Sequence, residues 1–234
     1  MEKKQSYPPF EKVGGAYIDH EIKRFVIITK DVLLNQLQRD CPKIAISFDE
    51  FLKDDLEKVS ELVASTFTIL MPHILGRDLS DEARSATCAR LLNTAMTTFI
   101  GCIHLARGGF RLQYATLSRS VIETICTVLH LMVSPNALRD FHARKLKSSK
   151  SINVAKQVIP IFGNIWGLLS NQFVHITTLH SKLEPLTSYK DGDEDLAFIR
   201  LNIKTLAWLL FVSTELTFVE MVARPRYWKI VNHR

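Results

Sequence analysis

The sequence predicts an all-α protein, a single helical bundle of about seven helices, and three observations carry that prediction. The 234 residues include only 9 Gly and 8 Pro, so connections are few and helices long. Hydrophobic side chains make up 47% of the chain, which excludes a disordered or collagen-like polypeptide. Along most of the length the apolar positions recur three and four residues apart, the period of a helix with one buried face.

The elements follow in order. Residues to about Ala16 read as a flexible arm, broken by Pro8, Pro9, Gly14 and Gly15. From Asp19 to about Arg39, Ile22, Phe25, Val26, Thr29, Leu33 and Leu37 fall at helical spacing, and Cys41-Pro42 marks the stop. Ser47 with Glu50 three residues on has the form of a capping box, opening a second helix to about Met71. Lys43 to Ser47 is the one short stretch with strand-like alternation. Pro72 and Gly76 break the second helix, and Ser80-Asp81-Glu82 starts a third that ends at Gly108-Gly109.

A fourth helix spans Phe110 to about Val133, and a short basic helix covers Asn136 to about Lys147. Ser151 to about Val174 is expected to be helical with a kink at Pro160, because proline removes one ladder hydrogen bond. Leu183 to Asp193 reads as a loop, and a last helix runs from Glu194 to about Ala223. Domain organisation is therefore an arm over 1–16 and one helical domain over 17–234.

Neither Gln157–Ser181 nor Leu206–Val212 has the roughly 20 predominantly apolar residues a membrane span needs, so no membrane association is expected. Met1-Glu2-Lys3-Lys4 is charged and no apolar run follows it, so a signal peptide is not expected either. Cys41, Cys88, Cys102 and Cys126 form no CxxC pair and sit in helical segments, which suits reduced, buried thiols and a cytoplasmic protein. There is no GxGxxG, P-loop or HExxH motif and no zinc-spaced Cys/His cluster, so neither a cofactor nor a metal is expected. The acidic runs Asp54-Asp55 and Asp191–Asp195 lack the spacing of a calcium loop and read as solvated surface.

The fourth helix carries the first candidate site. Thr116, Arg119, Ser120, Glu123, Thr127 and His130 share an arc of roughly 100° opposite Leu117, Val121, Ile125 and Val128. Two readings stand: a solvated face with an i,i+4 ion pair, or a partly buried cleft holding Arg119 and Glu123. The third helix has a similar stripe of Arg90, Asn93, Thr97, Gly101 and His104, with His104 read as a core or rim histidine. A second candidate is Asn171 with His175, one turn apart if the helix continues. A neutral histidine there could serve as general base toward a ribose hydroxyl, or simply pack or cap the helix end.

Charge is unevenly spread. Residues 136–156 carry Arg139, Arg144, Lys145, Lys147, Lys150 and Lys156 against Asp140, a net +5. The tail from Met221 adds a net +4, leaving −3 for the rest of a chain whose total is +6. Such localised basic segments suit binding to a phosphate backbone, with Tyr227 and Trp228 available for stacking; a merely solubilising surface is the other reading.

Leu117-Ser118-Arg119-Ser120-Val121-Ile122-Glu123, a basic connector, and Trp166-x-x-Leu169-Ser170-x-x-x-Val174-His175 occur in that order. This arrangement, over roughly residues 80–223, resembles the HEPN-like helical superfamily, in particular a poorly characterised prokaryotic branch. The resemblance implies a homodimeric helical module that binds RNA, a nucleotide or a protein partner, in a prokaryotic defence or stress system. It also implies an alternative, a metal-independent endoribonuclease with His175 as general base. His175 and Asn171 match the histidine and polar positions of the family motif, whereas Ser170 stands where its arginine belongs. Arg119, with Glu123 beside it, is then the candidate to neutralise phosphate, and Asn171, Arg139, Arg144, Lys145 and Lys147 the candidates to bind it.

Overall fold

The computed structural model describes residues 8–21, 23–75, 84–181 and 186–229. It is an all-α helical bundle with one small two-stranded sheet, and it contains seven α-helices of six residues or more among those residues. The largest are α2 (Cys41–Leu75), α3 (Arg84–Arg107), α4 (Arg111–Val133) and α8 (Glu194–Thr217). α3 packs on α2, α4 and α8, and α8 also packs on α2 and α4, so these four helices enclose the core.

Smaller helices complete the bundle on the outer side of α4. α5 (Ala137–His142) turns the chain back, and α6 (Ser148–Val158) and α7 (Ile161–Leu169) run down α4 into a π-helical turn at Ser170–Val174. The α3–α4 connection is tight because Gly109 adopts φ 86°, a conformation that favours glycine.

α4 and α8 are the most deeply buried elements. Ile122, Ile125 and Leu131 of α4 are fully covered, each worth roughly 1.5–3 kcal/mol of apolar transfer. A polar contact fixes the register of the two helices: Asn202 on α8 donates to Tyr114 Oη at 2.9 Å, beside Ser118. Burial holds the Tyr114 phenol far above its ordinary range, so it stays protonated. By length and composition α4 and α8 could each cross a bilayer, although here 50% and 61% of their most apolar windows are buried in the protein. Of the four cysteines expected as buried thiols, Cys88, Cys102 and Cys126 are buried whereas Cys41 is only half-buried, and all four are unbonded. Desolvation raises the Cys88 thiol to about 12 and the Cys102 thiol to about 11.

Several local expectations need correction. The segment from Asp19 to Arg39 is not one helix. β1 (Val13–Asp19) pairs antiparallel with β2 (Arg24–Thr29), placing Ile18 opposite Phe25 and Tyr17 opposite Val26. Val26-Ile27-Ile28-Thr29 is a β-branched run, and its preference for extended backbone outweighs the coincidental helical spacing. The supposed arm accordingly enters β1 at Val13. Helix begins only at α1 (Val32–Asn35) and passes through a π-turn (Gln36–Asp40) directly into α2. Cys41-Pro42 is therefore no stop. The widened turn before it accommodates a residue that cannot donate a backbone hydrogen bond.

Lys43 to Ser47 is helical, and Ser47 caps nothing: its hydroxyl donates to Ile44 O and accepts from the Tyr189 amide. Pro72 lies within α2, which reaches Leu75. The stop at Gly76 and the start at Ser80 lie outside the described residues. Asn136 to Lys147 is helical only over Ala137–His142. At Pro160 the helix breaks into α6 and α7 rather than kinking, and α8 ends at Thr217 rather than near Ala223.

Candidate functional site

The polar stripe of α4 is covered by the returning chain over part of its length: Thr116 and Ser120 are exposed, Arg119, Glu123 and Thr127 half-buried and His130 buried. At its lower end Thr116 Oγ1 donates to Phe173 O at 3.1 Å. At its upper end His130 Nδ1 and Ser151 Oγ share a hydrogen bond at 3.1 Å. Between them Glu123 Oε1 receives Arg119 Nε at 3.0 Å and the Trp166 indole N–H, also at 3.0 Å. The Arg119 guanidinium also lies over the Trp166 ring, 5.4 Å from its centroid.

This arrangement limits the chemistry Arg119 can perform. Its fork already meets a carboxylate, and the two side chains retain only 23% and 26% of their exposure. An arginine before a glutamate is the weaker i,i+4 order in an isolated helix, and here Trp166 supplies the extra contact that fixes the pair. The charges of Arg119 and Glu123 cancel locally, which suits a clamp between α4 and α7.

His130 lies at the upper end of the stripe. Burial, reinforced by the charge of Lys150 and opposed by Asp140, holds its imidazole below the ordinary range.

His175 and Asn171 do not join this group. A π-turn has more residues per turn than an α-helix, so positions four apart no longer stack. Ser170–Val174 takes that form, and His175 leaves it in extended conformation with φ −78° and ψ 139°. Both side chains are exposed. Ser170 is 2% exposed, and its hydroxyl has no partner among the described residues. The position at which the family motif carries arginine is thus an interior one in this chain.

The structured histidine of this region is His180, which sequence reasoning passed over. The Thr177 amide donates to its Nδ1 at 3.1 Å, so Nε2 carries the proton shared with Phe173 O at 3.1 Å. Both ring nitrogens hold the loop. The signal was the Thr177-x-x-His180 spacing just after a helix end.

The basic residues gather elsewhere. Arg139, Arg144, Lys145, Lys147 and Lys150 are all exposed. Arg144 adopts φ 56°, and the amides of Lys145 and Leu146 both donate to Asp140 O, closing α5 and turning the following lysines outward. This segment begins beyond the upper end of α4, whereas Arg119 lies about 20 Å of helix below that end. The structure does not bring the two together. In the tail, Trp228 donates to Glu215 Oε2 at 3.1 Å and Tyr227 packs edge-on against Trp208 and Phe211. Those rings pack down on α8.

A cavity of about 620 Å³ lies between the α3–α4 turn, the π-turn and the start of α8. Arg111 on its wall contacts Asp195 at 2.7 Å and Asp193 at 3.4 Å, and stacks on Tyr189 with 4.7 Å to the centroid. Phe173 and Phe198 stack across it at 5.3 Å, with His180 and Gln172 also lining it. The acidic run expected to be solvated surface therefore anchors an arginine at the cavity edge. His104 of the α3 stripe is exposed and borders a separate groove. Among the described residues no three His, Cys, Asp or Glu side chains are grouped to hold a metal ion.

Against known protein families, curated proteins and solved structures, the chain finds no significant match.

Proposed function

We propose that this chain is a helical binding module that engages single-stranded RNA through the exposed basic segment Arg139, Arg144, Lys145, Lys147 and Lys150, without turning it over. The observation that carries the reading is the outward presentation of those five cations around a segment whose one acid is Asp140. An RNA phosphate backbone is recognised by such a cluster through counterion release. The HEPN-like resemblance supports an RNA ligand, and Asn171 is the polar residue it adds to the binding set.

The ribonuclease reading has less support. Arg119 is engaged by Glu123 and Trp166, Ser170 is interior, and His175 stands among neither. Fluorescence anisotropy with a labelled single-stranded RNA tests the proposal. The parent binds in low salt, and a variant combining Arg144→Glu, Lys145→Glu and Lys147→Glu loses at least tenfold in affinity. Equal binding by that variant, or no binding by the parent, would remove the basis of the reading.

A further inference from the structure

The chain before the bundle has no core of its own. None of the described residues from Pro8 to Lys43 is buried, although they form a hairpin and the first turns of helix. A lone two-stranded hairpin is marginally stable in water and gains stability from further strands or from packing. Here its side chains are strongly apolar on both faces: Ile18 and Phe25 are paired on one face, Tyr17 and Val26 on the other. The helical stretch that follows, Val32 to Lys43, adds Val32, Leu33 and Leu37 over about 18 Å before the first core residue, Ile44.

The exposure is concentrated. Ten of the twenty-two exposed large hydrophobic residues, among those described, lie between Phe10 and Ile46. At roughly 100 Å² each they present on the order of 1,000 Å² of apolar surface in total, spread over both faces of the hairpin and the helix that follows, an amount comparable to one side of a stable interface. The patch continues into a groove of about 450 Å³ where Leu37 and Ile46 face His104 and Phe110.

We infer that this hairpin and helix form a dimerisation arm whose apolar surface is covered by the same surface of a second copy of the chain. Charge selects that occupant. From Phe10 to Ile46 there are six Lys or Arg and five Asp or Glu, a net charge of +1, so the surface has little excess with which to attract a polyanion or an acidic membrane. The outer edge of β2 is also self-complementary. Antiparallel pairing of two β2 strands about their centre sets Phe25 opposite Ile28, Val26 opposite Ile27 and Arg24 opposite Thr29, so no like charges meet. Edge pairing then turns two isolated hairpins into one four-stranded sheet. The inference stands apart from RNA binding, since the basic segment contributes nothing to this surface.

Sedimentation velocity of the full chain at tens of micromolar tests it. The parent sediments as a dimer, at twice the 26.7 kDa chain mass. The double variant Phe25→Lys, Leu33→Glu sediments as a monomer with an unchanged far-UV circular dichroism spectrum. Leu33→Glu alone, which leaves the hairpin untouched, weakens the dimer at least tenfold. Leu201→Glu, at an equally exposed leucine on α8, leaves it intact. A monomeric parent overturns the inference, and so does a folded arm variant that stays dimeric. A monomeric parent that floats with phosphatidylcholine vesicles assigns the surface to lipid and likewise overturns it.

Discussion

Trp166 donates its indole N–H to Glu123 Oε1 at 3.0 Å, and Arg119 holds the same oxygen from the next turn of α4. One carboxylate oxygen thus ties α7 to α4 and takes up the arginine that could otherwise have met a phosphate. These contacts suit a clamp between α4 and α7, and removal of the pair is expected to register in stability rather than in ligand binding. Trp166→Phe, which deletes the indole donor while keeping a ring, should cost about 1 kcal/mol in urea unfolding. Glu123→Ala should cost about 1–2 kcal/mol because it leaves Arg119 half-buried without its partner, a figure reduced for the remaining solvent exposure. RNA affinity should be unchanged in both. A tenfold loss of affinity in Glu123→Ala with stability intact would place the pair in the binding site.

Incubation of the parent with end-labelled RNA in EDTA should leave the RNA intact on a denaturing gel. His175 is exposed, and the nearest motif position is the interior Ser170 rather than an arginine. Cutting by the parent that is abolished in His175→Ala would establish the nuclease alternative.

His130 makes a pH dependence predictable in sign. Its imidazole lies below its ordinary value of 6.5 when folded, so the unfolded chain binds the proton more readily. The stabilisation is complete above that ordinary value and declines as pH falls through it toward the folded value. Thermal unfolding temperature should therefore drop as pH falls below about 6.5, and His130→Gln should flatten that slope. An identical slope in the variant would assign the dependence to other groups.

α3 and α4 were legible because each carries a long amphipathic run closed by a stop that acts locally: Gly108-Gly109 after α3 and Ser134-Pro135 after α4. The hairpin was not, since Phe25, Val26 and Thr29 fit a helical period as well as a strand. What decides between them includes the pairing with Tyr17 and Ile18 across a turn, which spacing along one strand does not carry. Pro160 misled in degree: the chain resumes as a separate helix because Pro160 itself precedes the new first turn.

At the candidate site the sequence placed Arg119 and Glu123 together, since i,i+4 geometry is local. It could not place Trp166 on them, forty-three residues further along the chain. Nor could it show that α6 and α7 bring Ser151 onto His130 and Trp166 onto Glu123. The cavity beside Arg111 was hidden for the same reason, as its carboxylates come from the start of α8.

The most direct test of RNA binding by the basic segment is the salt dependence of affinity, measured by anisotropy from about 50 to 200 mM monovalent salt. The account predicts a steep linear fall of log affinity with log salt in the parent. Lys145→Ala and Lys147→Ala should each lower the slope by roughly 0.7 for single-stranded RNA, additively in the double variant. A slope near zero in the parent, or one that neither substitution alters, would contradict it.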